Sequence, residues 1–247
     1  MVSRRTFIAT VLGGPLVALI GIKYKPWQNR GTNPEQNNNI TISGTGEKDT
    51  NQFRVGSDIY ASIISTTTTN VTDAEILLAN ETSDKTITLY NGNEDQNTER
   101  LEKLRSEDYF ISVRGDIGEW EVSIKNITSL PSPNEFSSNI PITASGSRKR
   151  VIGPVSVGPY PKTNIIFETK SESDTPSKIE LTDEKGINRQ ELLNIPANTI
   201  AKKEFLQRMD GRGFIIVESQ SDWELTFQKD PEYEKQIKEN NGTVRPY

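Results

Sequence analysis

The residue types that carry most enzyme chemistry are restricted in this chain of 247 residues, which contains neither Cys nor His. Their absence excludes thiol nucleophiles, imidazole bases, the serine triad and nearly every zinc, copper or iron site. What remains is chemistry by carboxylate pairs, by Ser with Lys, or by hard cations bound to Asp, Asn and Glu. No acid pair lies beside a motif that would mark it as catalytic, so we expect no enzyme and no cofactor.

One loop has oxygen side chains at the spacing of a calcium site. The segment 91–102, NGNEDQNTERLE, has them at loop positions 1, 3 and 5, with a Glu at position 12. Position 1 is Asn91 where Asp is usual, and position 6 is Gln96 where a sharp turn needs Gly. We therefore interpret the segment as an Asn91-Gly92 hairpin turn followed by a solvated loop, and expect no metal site.

Five asparagines head an N-x-T sequon, the acceptor for N-linked glycans in hosts that have the machinery. They are Asn39, Asn70, Asn80, Asn126 and Asn241. A sequon in an exported chain predicts a surface position, so we expect all five at the surface and available for glycosylation.

Two tryptophans lie in matching octets, EWEVSIKN at 119–126 and DWELTFQK at 222–229. An exposed indole could stack on a sugar ring, as in a carbohydrate-binding module, but alternating apolar neighbours in both octets favour a buried side chain. We predict that Trp120 and Trp223 are core anchors and keep glycan binding as the alternative. Better candidates for exposed aromatics are Tyr60, Tyr160 and Trp27.

Charge argues against a nucleic-acid partner, because 29 basic and 34 acidic residues are scattered and give a net charge of −5. Arg148-Lys149-Arg150 is a short basic cluster, which we interpret as a solvated edge strand protected from pairing with another sheet.

Within the first 25 residues, Ser3, Arg4 and Arg5 precede Phe7, which begins an apolar run that ends at Ile22. This pattern resembles a twin-arginine export signal, which implies transport of a folded chain across the membrane. No A-x-A cleavage site follows the run, so we expect the segment to remain as a membrane anchor, with residues 26–40 as a polar linker.

The two Trp octets belong to an internal repeat of about 100 residues. We align Ile42–Gly46 with Ile142–Gly146, Ile63-Ile64 with Ile165-Ile166, and Leu101 with Phe205; Glu75–Leu78 aligns with Lys178–Leu181 and Phe110–Val113 with Phe214–Val217. The alignment predicts two repeats, 41–127 and 141–229, joined by a linker at 128–140 and followed by a polar tail at 230–247. With separate cores, the two repeats are expected to unfold independently.

Short β-branched runs recur every eight to twelve residues between turn signals, and apolar residues alternate as in half-buried strands. We predict an all-β chain of two tandem antiparallel β-sandwich domains of jelly-roll type after an N-terminal hydrophobic helix.

Each half, with its "I-x-L" and "D-Y-F-I-S-V" or "G-F-I-I-V" strands, is similar to the pre-peptidase C-terminal type of β-sandwich. Together with the N-terminus, the chain resembles twin-arginine surface proteins of haloarchaea. This resemblance implies a non-enzymatic protein on the outer face of the cytoplasmic membrane, which binds another envelope protein or a glycan, or serves envelope architecture. A carboxylate-dependent hydrolase is the second alternative.

Overall fold

The structure is a computed structural model, and it describes residues 39–71, 73–80, 82–83, 85–92, 97–131, 141–156, 163–207 and 211–232, with Lys235 and Glu239. The predicted signal at 1–25 and most of the linker at 26–40 lie outside this part of the chain, as do residues 132–140. No helix in the described part is long and apolar enough to cross a membrane.

The first half of the described chain consists of nine strands in two antiparallel sheets. The strands are β1 (Asn39–Thr45), β2 (Lys48–Asp49), β3 (Phe53–Arg54), β4 (Ala61–Thr68), β5 (Asp73–Asn80), β6 (Thr86–Asn91), β7 (Asn97–Glu102), β8 (Asp108–Asp116) and β9 (Glu119–Ile127). One sheet has the order β1-β9-β4-β7, and the other has β2-β8-β5-β6 with β3 also paired to β8.

The second half repeats this arrangement with eight strands. They are β10 (Ile142–Gly146), β11 (Arg150–Ser156), β12 (Thr163–Thr169), β13 (Ser177–Thr182), β14 (Arg189–Ile195), β15 (Lys202–Gln207), β16 (Arg212–Glu218) and β17 (Trp223–Lys229). The orders are β10-β17-β12-β15 and β11-β16-β13-β14, so each strand of one half has a counterpart in the other, β11 replacing the interrupted β2 and β3. The prediction of an all-β, antiparallel, sandwich-like fold is confirmed.

Alternation along the strands builds a core between the two sheets of each half. In β9, residues 120, 122 and 124 are buried while 119 and 121 are exposed, and β17 shows the same pattern from Trp223 to Phe227. Each half has its own buried apolar cluster, with side chains from both of its sheets. The period of two therefore sets which side chains lie inside.

The strand register corrects three of the predicted repeat alignments. Gly44 pairs with Trp120 and Gly146 pairs with Trp223, so Gly44, not Gly46, is the counterpart of Gly146. By the same pairing, Ile64 corresponds to Ile165 and Leu101 to Leu206. The errors at Ile63 and Leu101 are shifts of one residue, which align apolar side chains that point to opposite faces, whereas the error at Gly46 is a shift of two residues, which keeps the same face.

The Asn91-Gly92 hairpin prediction is also wrong. β6 pairs with β5 in one sheet, whereas β7 pairs with β4 in the other, so the segment between them crosses from sheet to sheet. A local turn signal marks the end of a strand and does not show which sheet the next strand joins. Lys185-Gly186, by contrast, does join the paired strands β13 and β14.

A third buried cluster lies between the two halves, which belong to one compact unit, Gln36–Tyr247. It consists of Ala61, Ile63, Leu101, Ile127, Val151, Phe214 and Ile216, with Leu130 packed against it. The expectation of independent unfolding did not include this contact, which removes apolar surface of both halves from water together.

Candidate functional site

Trp120 is the largest side chain at the point where β1 and β9 pair, and it is 2% exposed. Its Nε1 donates a hydrogen bond to the carbonyl oxygen of Gly46 at 3.1 Å. Gly44 lies opposite, where an added Cβ would be 2.6 Å from the indole Cζ2. A side chain at position 44 would therefore collide with the ring, and glycine allows β1 to pass over it.

Trp223 repeats this geometry in the second half and is 1% exposed. Its Nε1 donates to the carbonyl oxygen of Arg148 at 3.0 Å, and Gly146 covers its ring. Phe167 packs against the indole with ring centroids 6.2 Å apart. Both indoles are thus enclosed and satisfied, which leaves neither ring face open for a sugar in this structure.

The sequons divide into exposed and buried positions. Asn39 and Asn70 are exposed, whereas Asn80 and Asn126 are 4% and 5% exposed, and Asn241 lies outside the described residues. The expectation that all sequons lie at the surface is therefore wrong for Asn80 and Asn126.

Both buried sequon asparagines have hydrogen-bonding roles that use their amide groups. The Asn80 side chain donates to Glu107 at 2.6 Å and accepts from the backbone N–H groups of Thr82 and Ser83, while Asn126 accepts from the Ser62 hydroxyl at 2.8 Å. These hydrogen bonds of the buried amides stabilise the ends of β5 and β9, because removing an amide would leave its buried partners without a hydrogen bond.

The calcium-type loop lies only partly within the described residues, since 93–96 fall outside them. Its last oxygen donor, Glu102, is the final residue of β7 and pairs with Ser62. An extended strand rises roughly 3.3 Å per residue, which carries Glu102 well away from the start of the loop. Within the described part, no group of three or more acidic residues could hold a metal ion.

The remaining predicted surface features have structural contacts. Tyr60 is half-buried, and Tyr160 and Trp27 lie outside the described residues. Of the basic cluster, only Arg150 belongs to the edge strand β11. Arg148 accepts the Trp223 hydrogen bond, and Lys149 forms an ion pair with Glu218, so the cluster is a turn that fixes the entry to β11.

An open groove of about 360 Å³ crosses the surface above Trp120. It is lined by Ser43, Gly44, Thr45, Thr67, Thr69, Glu119, Trp120 and Glu121. Hydroxyl and carboxylate groups of this kind can hydrogen-bond polar ligands. Sequence patterns did not predict it, since its residues come from three strands brought together by pairing.

Glu119 and Glu121 are the acid pair of this groove. Their i, i+2 spacing on one strand puts both carboxylates on the same face, with Cα atoms roughly 7 Å apart. Both side chains are exposed on an open surface. A glycoside hydrolase needs its two acids on either side of a sugar held in a cleft, and this groove does not enclose one.

The Asp183 carboxylate accepts hydrogen bonds from three residues of its own turn. Burial raises its pKa, but the backbone N–H of Ile187, the Asn188 amide and the Lys185 N–H outweigh burial, so the pKa lies below its ordinary value. These bonds measure 2.9, 2.7 and 3.0 Å. Asp183 therefore holds the β13–β14 turn as a structural carboxylate.

The residues of the predicted export signal, Ser3, Arg4, Arg5 and Phe7, lie outside the described part of the chain. Neither a family model nor a curated protein sequence matches this chain. The function must therefore be argued from the sequence pattern and from the surfaces above.

Proposed function

We propose that the chain is an exported, membrane-tethered surface protein on the outer face of the cytoplasmic membrane. The observation that carries this proposal is the N-terminal pattern of Ser3, Arg4, Arg5 and Phe7 before a run of apolar residues. Basic residues before the run hold that end inside, which directs the rest of the chain outward. The absence of cysteine suits transport of a chain that folds without disulfides.

The exported part is two tandem domains of jelly-roll type, joined by residues 128–140. The support for this proposal is that the strand order of one half recurs in the other and that no described strand pairs across the halves. Two sheets with this crossing order are the arrangement of a jelly roll; both are four-stranded in the second half, and in the first half β2 and β3 share one strand position.

The protein acts as a binding or structural module of the envelope and not as an enzyme. Trp120 and Trp223 are buried in the cores, and the hydrogen-bonded carboxylate of Asp183 holds a turn. Fold alone does not specify a ligand, so the partner is another envelope protein or a glycan.

Replacement of both Arg4 and Arg5 by Lys tests the proposal. The twin-arginine pathway depends on the paired guanidinium groups, so the double variant should accumulate inside the cell while the native chain reaches the surface. Cell fractionation with an antibody to the second half measures this. Normal surface delivery of the double variant would remove the export assignment.

Glycan binding at the groove above Trp120 is the second candidate function, favoured by its hydroxyl and carboxylate lining. Glu121→Gln should weaken binding to a glycan array if the groove is the site. The matched control is Glu224→Gln, because Glu224 occupies the corresponding position in the second half and is paired with Lys170. Equal binding by the native chain and both variants would exclude the groove.

A further inference from the structure

Part of the outer face of one sheet in each half is covered by the other half. In the first half it is the β1-β9-β4-β7 sheet, through Ile63 and Leu101, and in the second half the β11-β16-β13-β14 sheet, through Phe214 and Ile216. Different surfaces of the repeat meet here, so the contact is heterologous. A heterologous contact between similar units can in principle be repeated without end.

Polar and close-packed contacts fix the relative position of the halves. The backbone N–H of Val151, on the edge strand β11, donates to a carboxylate oxygen of Glu99 at 2.8 Å. Gly186, in the β13–β14 turn, lies so close to Leu101 that an added Cβ would be 2.7 Å from a methyl carbon. A contact with a satisfied edge N–H and a close-packed glycine is specific and does not slide freely.

The strand pairing identifies the counterparts of these contact residues on the two sheets that do not take part in the contact. Ile63, Leu101 and Ile127 correspond to Asn164, Leu206 and Asp230 of the second half. Val151, Phe214 and Ile216 correspond to Asp49, Phe110 and Ser112 of the first half.

Four of these six counterparts are polar or charged where the contact has Ile or Val. The retained leucine, Leu206, is 45% exposed, whereas Leu101 is 3% exposed. The inner side of the pair is therefore apolar, whereas the matching outer positions hold polar side chains, of which Asp49 is exposed and Asn164, Asp230 and Ser112 are buried. Arrays of stacked repeats are closed in this way, by end units with polar outer faces.

We infer that the two halves are a closed pair: one rigid, cooperatively unfolding body, in which the contact is used once and the outer faces cannot repeat it. The inference rests on the contacts and register of residues 39–232 and not on the proposed export. A chain of this kind presents its loops in one fixed arrangement instead of on two flexibly linked modules, and it stays monomeric when it is concentrated.

Leu101→Asn and Leu206→Asn test the closed pair as a matched set, because the same change is made at corresponding positions of β7 and β15. Leu101→Asn puts an amide into the buried contact, so the melting temperature should fall by roughly 6 to 12 °C. Leu206→Asn changes a half-exposed side chain and should shift it by no more than about 2 °C. Calorimetry on residues 36–247 and on the full chain measures both.

The native chain should melt in one calorimetric transition, with a calorimetric enthalpy equal to the van't Hoff enthalpy. Two resolved transitions, or equal shifts for the two leucine variants, would overturn the inference. Leu101→Asn can unfold its own half, so a milder variant of the contact, Glu99→Gln, is measured by small-angle scattering. Its radius of gyration, and that of Leu206→Asn, should equal the radius of gyration of the native chain. Expansion of the native chain into two separated bodies would contradict the closed pair.

Self-association is measured on the same samples by sedimentation. Residues 36–247, which lack the proposed anchor, should remain monomeric over a hundredfold range of concentration, since Asn164, Asp230, Asp49 and Ser112 stand where the contact has Ile or Val. Concentration-dependent assembly that Leu206→Asn abolishes would show that the outer faces repeat the contact, and the closed pair would be wrong.

Discussion

Each indole requires a glycine opposite it on the neighbouring strand, and the two halves meet this requirement with different clearances. An added Cβ at Gly44 would be 2.6 Å from Trp120, whereas one at Gly146 would be 3.0 Å from Trp223. The first half is therefore packed more tightly at this point. A hydrophobicity pattern does not reveal such a Gly-Trp pair, because the glycine contributes only by having no Cβ that would collide with the indole.

Gly44→Ala should destabilise the protein more than Gly146→Ala does. The added methyl at position 44 cannot be accommodated without moving the indole, an overpacking that costs about 1 to 3 kcal/mol. Urea unfolding of the two variants compares them directly. Equal free energies of unfolding would show that the Trp120 ring moves aside without cost.

Asp183→Asn should remove a pH-dependent contribution to stability. The pKa of Asp183 is depressed in the folded chain, so its stabilisation is present above the pKa of the unfolded chain and is lost as the pH falls through the folded pKa. The melting temperature of the variant should therefore be lower near neutral pH and approach that of the native chain in acid. The exposed Asp174→Asn serves as the control, and a difference that persists in acid would contradict the assignment.

At the scale of strands, the sequence was sufficient for the core-facing residues but not for the register. Alternation in β9 and β17 identified Trp120 and Trp223 as inward-facing, since the period of two is written in the residues themselves. The alignment of Ile64 with Ile165 of the second half was missed by one residue. Ile63 and Ile64 point to opposite faces of β4, and both are apolar. Only the partner strand decides which isoleucine belongs to the core.

The sequence contains a pattern from which the contact between the halves could have been predicted. β16 contains Phe214, Ile215, Ile216 and Val217, four consecutive apolar residues, all buried. A continuous apolar run is typical of a strand covered on both faces, whereas half-exposed strands alternate. The groove above Trp120 left no such signal, because it depends on the distance between strands that are far apart in sequence.

Glu99 should contribute to stability through the edge of β11. Glu99→Ala removes the acceptor of the Val151 N–H and leaves that donor without this partner, at a cost of about 1 to 3 kcal/mol. Glu99→Gln keeps an acceptor oxygen and should cost less. Chemical denaturation of both variants measures the difference, and an unchanged stability of Glu99→Ala would mean that the Val151 N–H does not need this acceptor.

For the whole molecule, truncation of one tryptophan tests how far the halves depend on each other. Trp223→Ala leaves a large cavity and should cost about 3 to 5 kcal/mol. Because the halves share a buried cluster, the variant should unfold in one transition at a lower temperature. A first half that melts at its original temperature, apart from the second, would show that the shared cluster does not couple them.

Export and tethering of the folded pair are tested most directly by protease treatment of intact cells, followed by fractionation of the membranes. The native chain should be digested from outside, and untreated protein should stay in the membrane pellet after an alkaline wash with its N-terminal peptide intact, as expected for an uncleaved anchor at 1–25. Protection from protease in intact cells, with release on lysis into the soluble fraction, would contradict an extracytoplasmic, membrane-tethered protein.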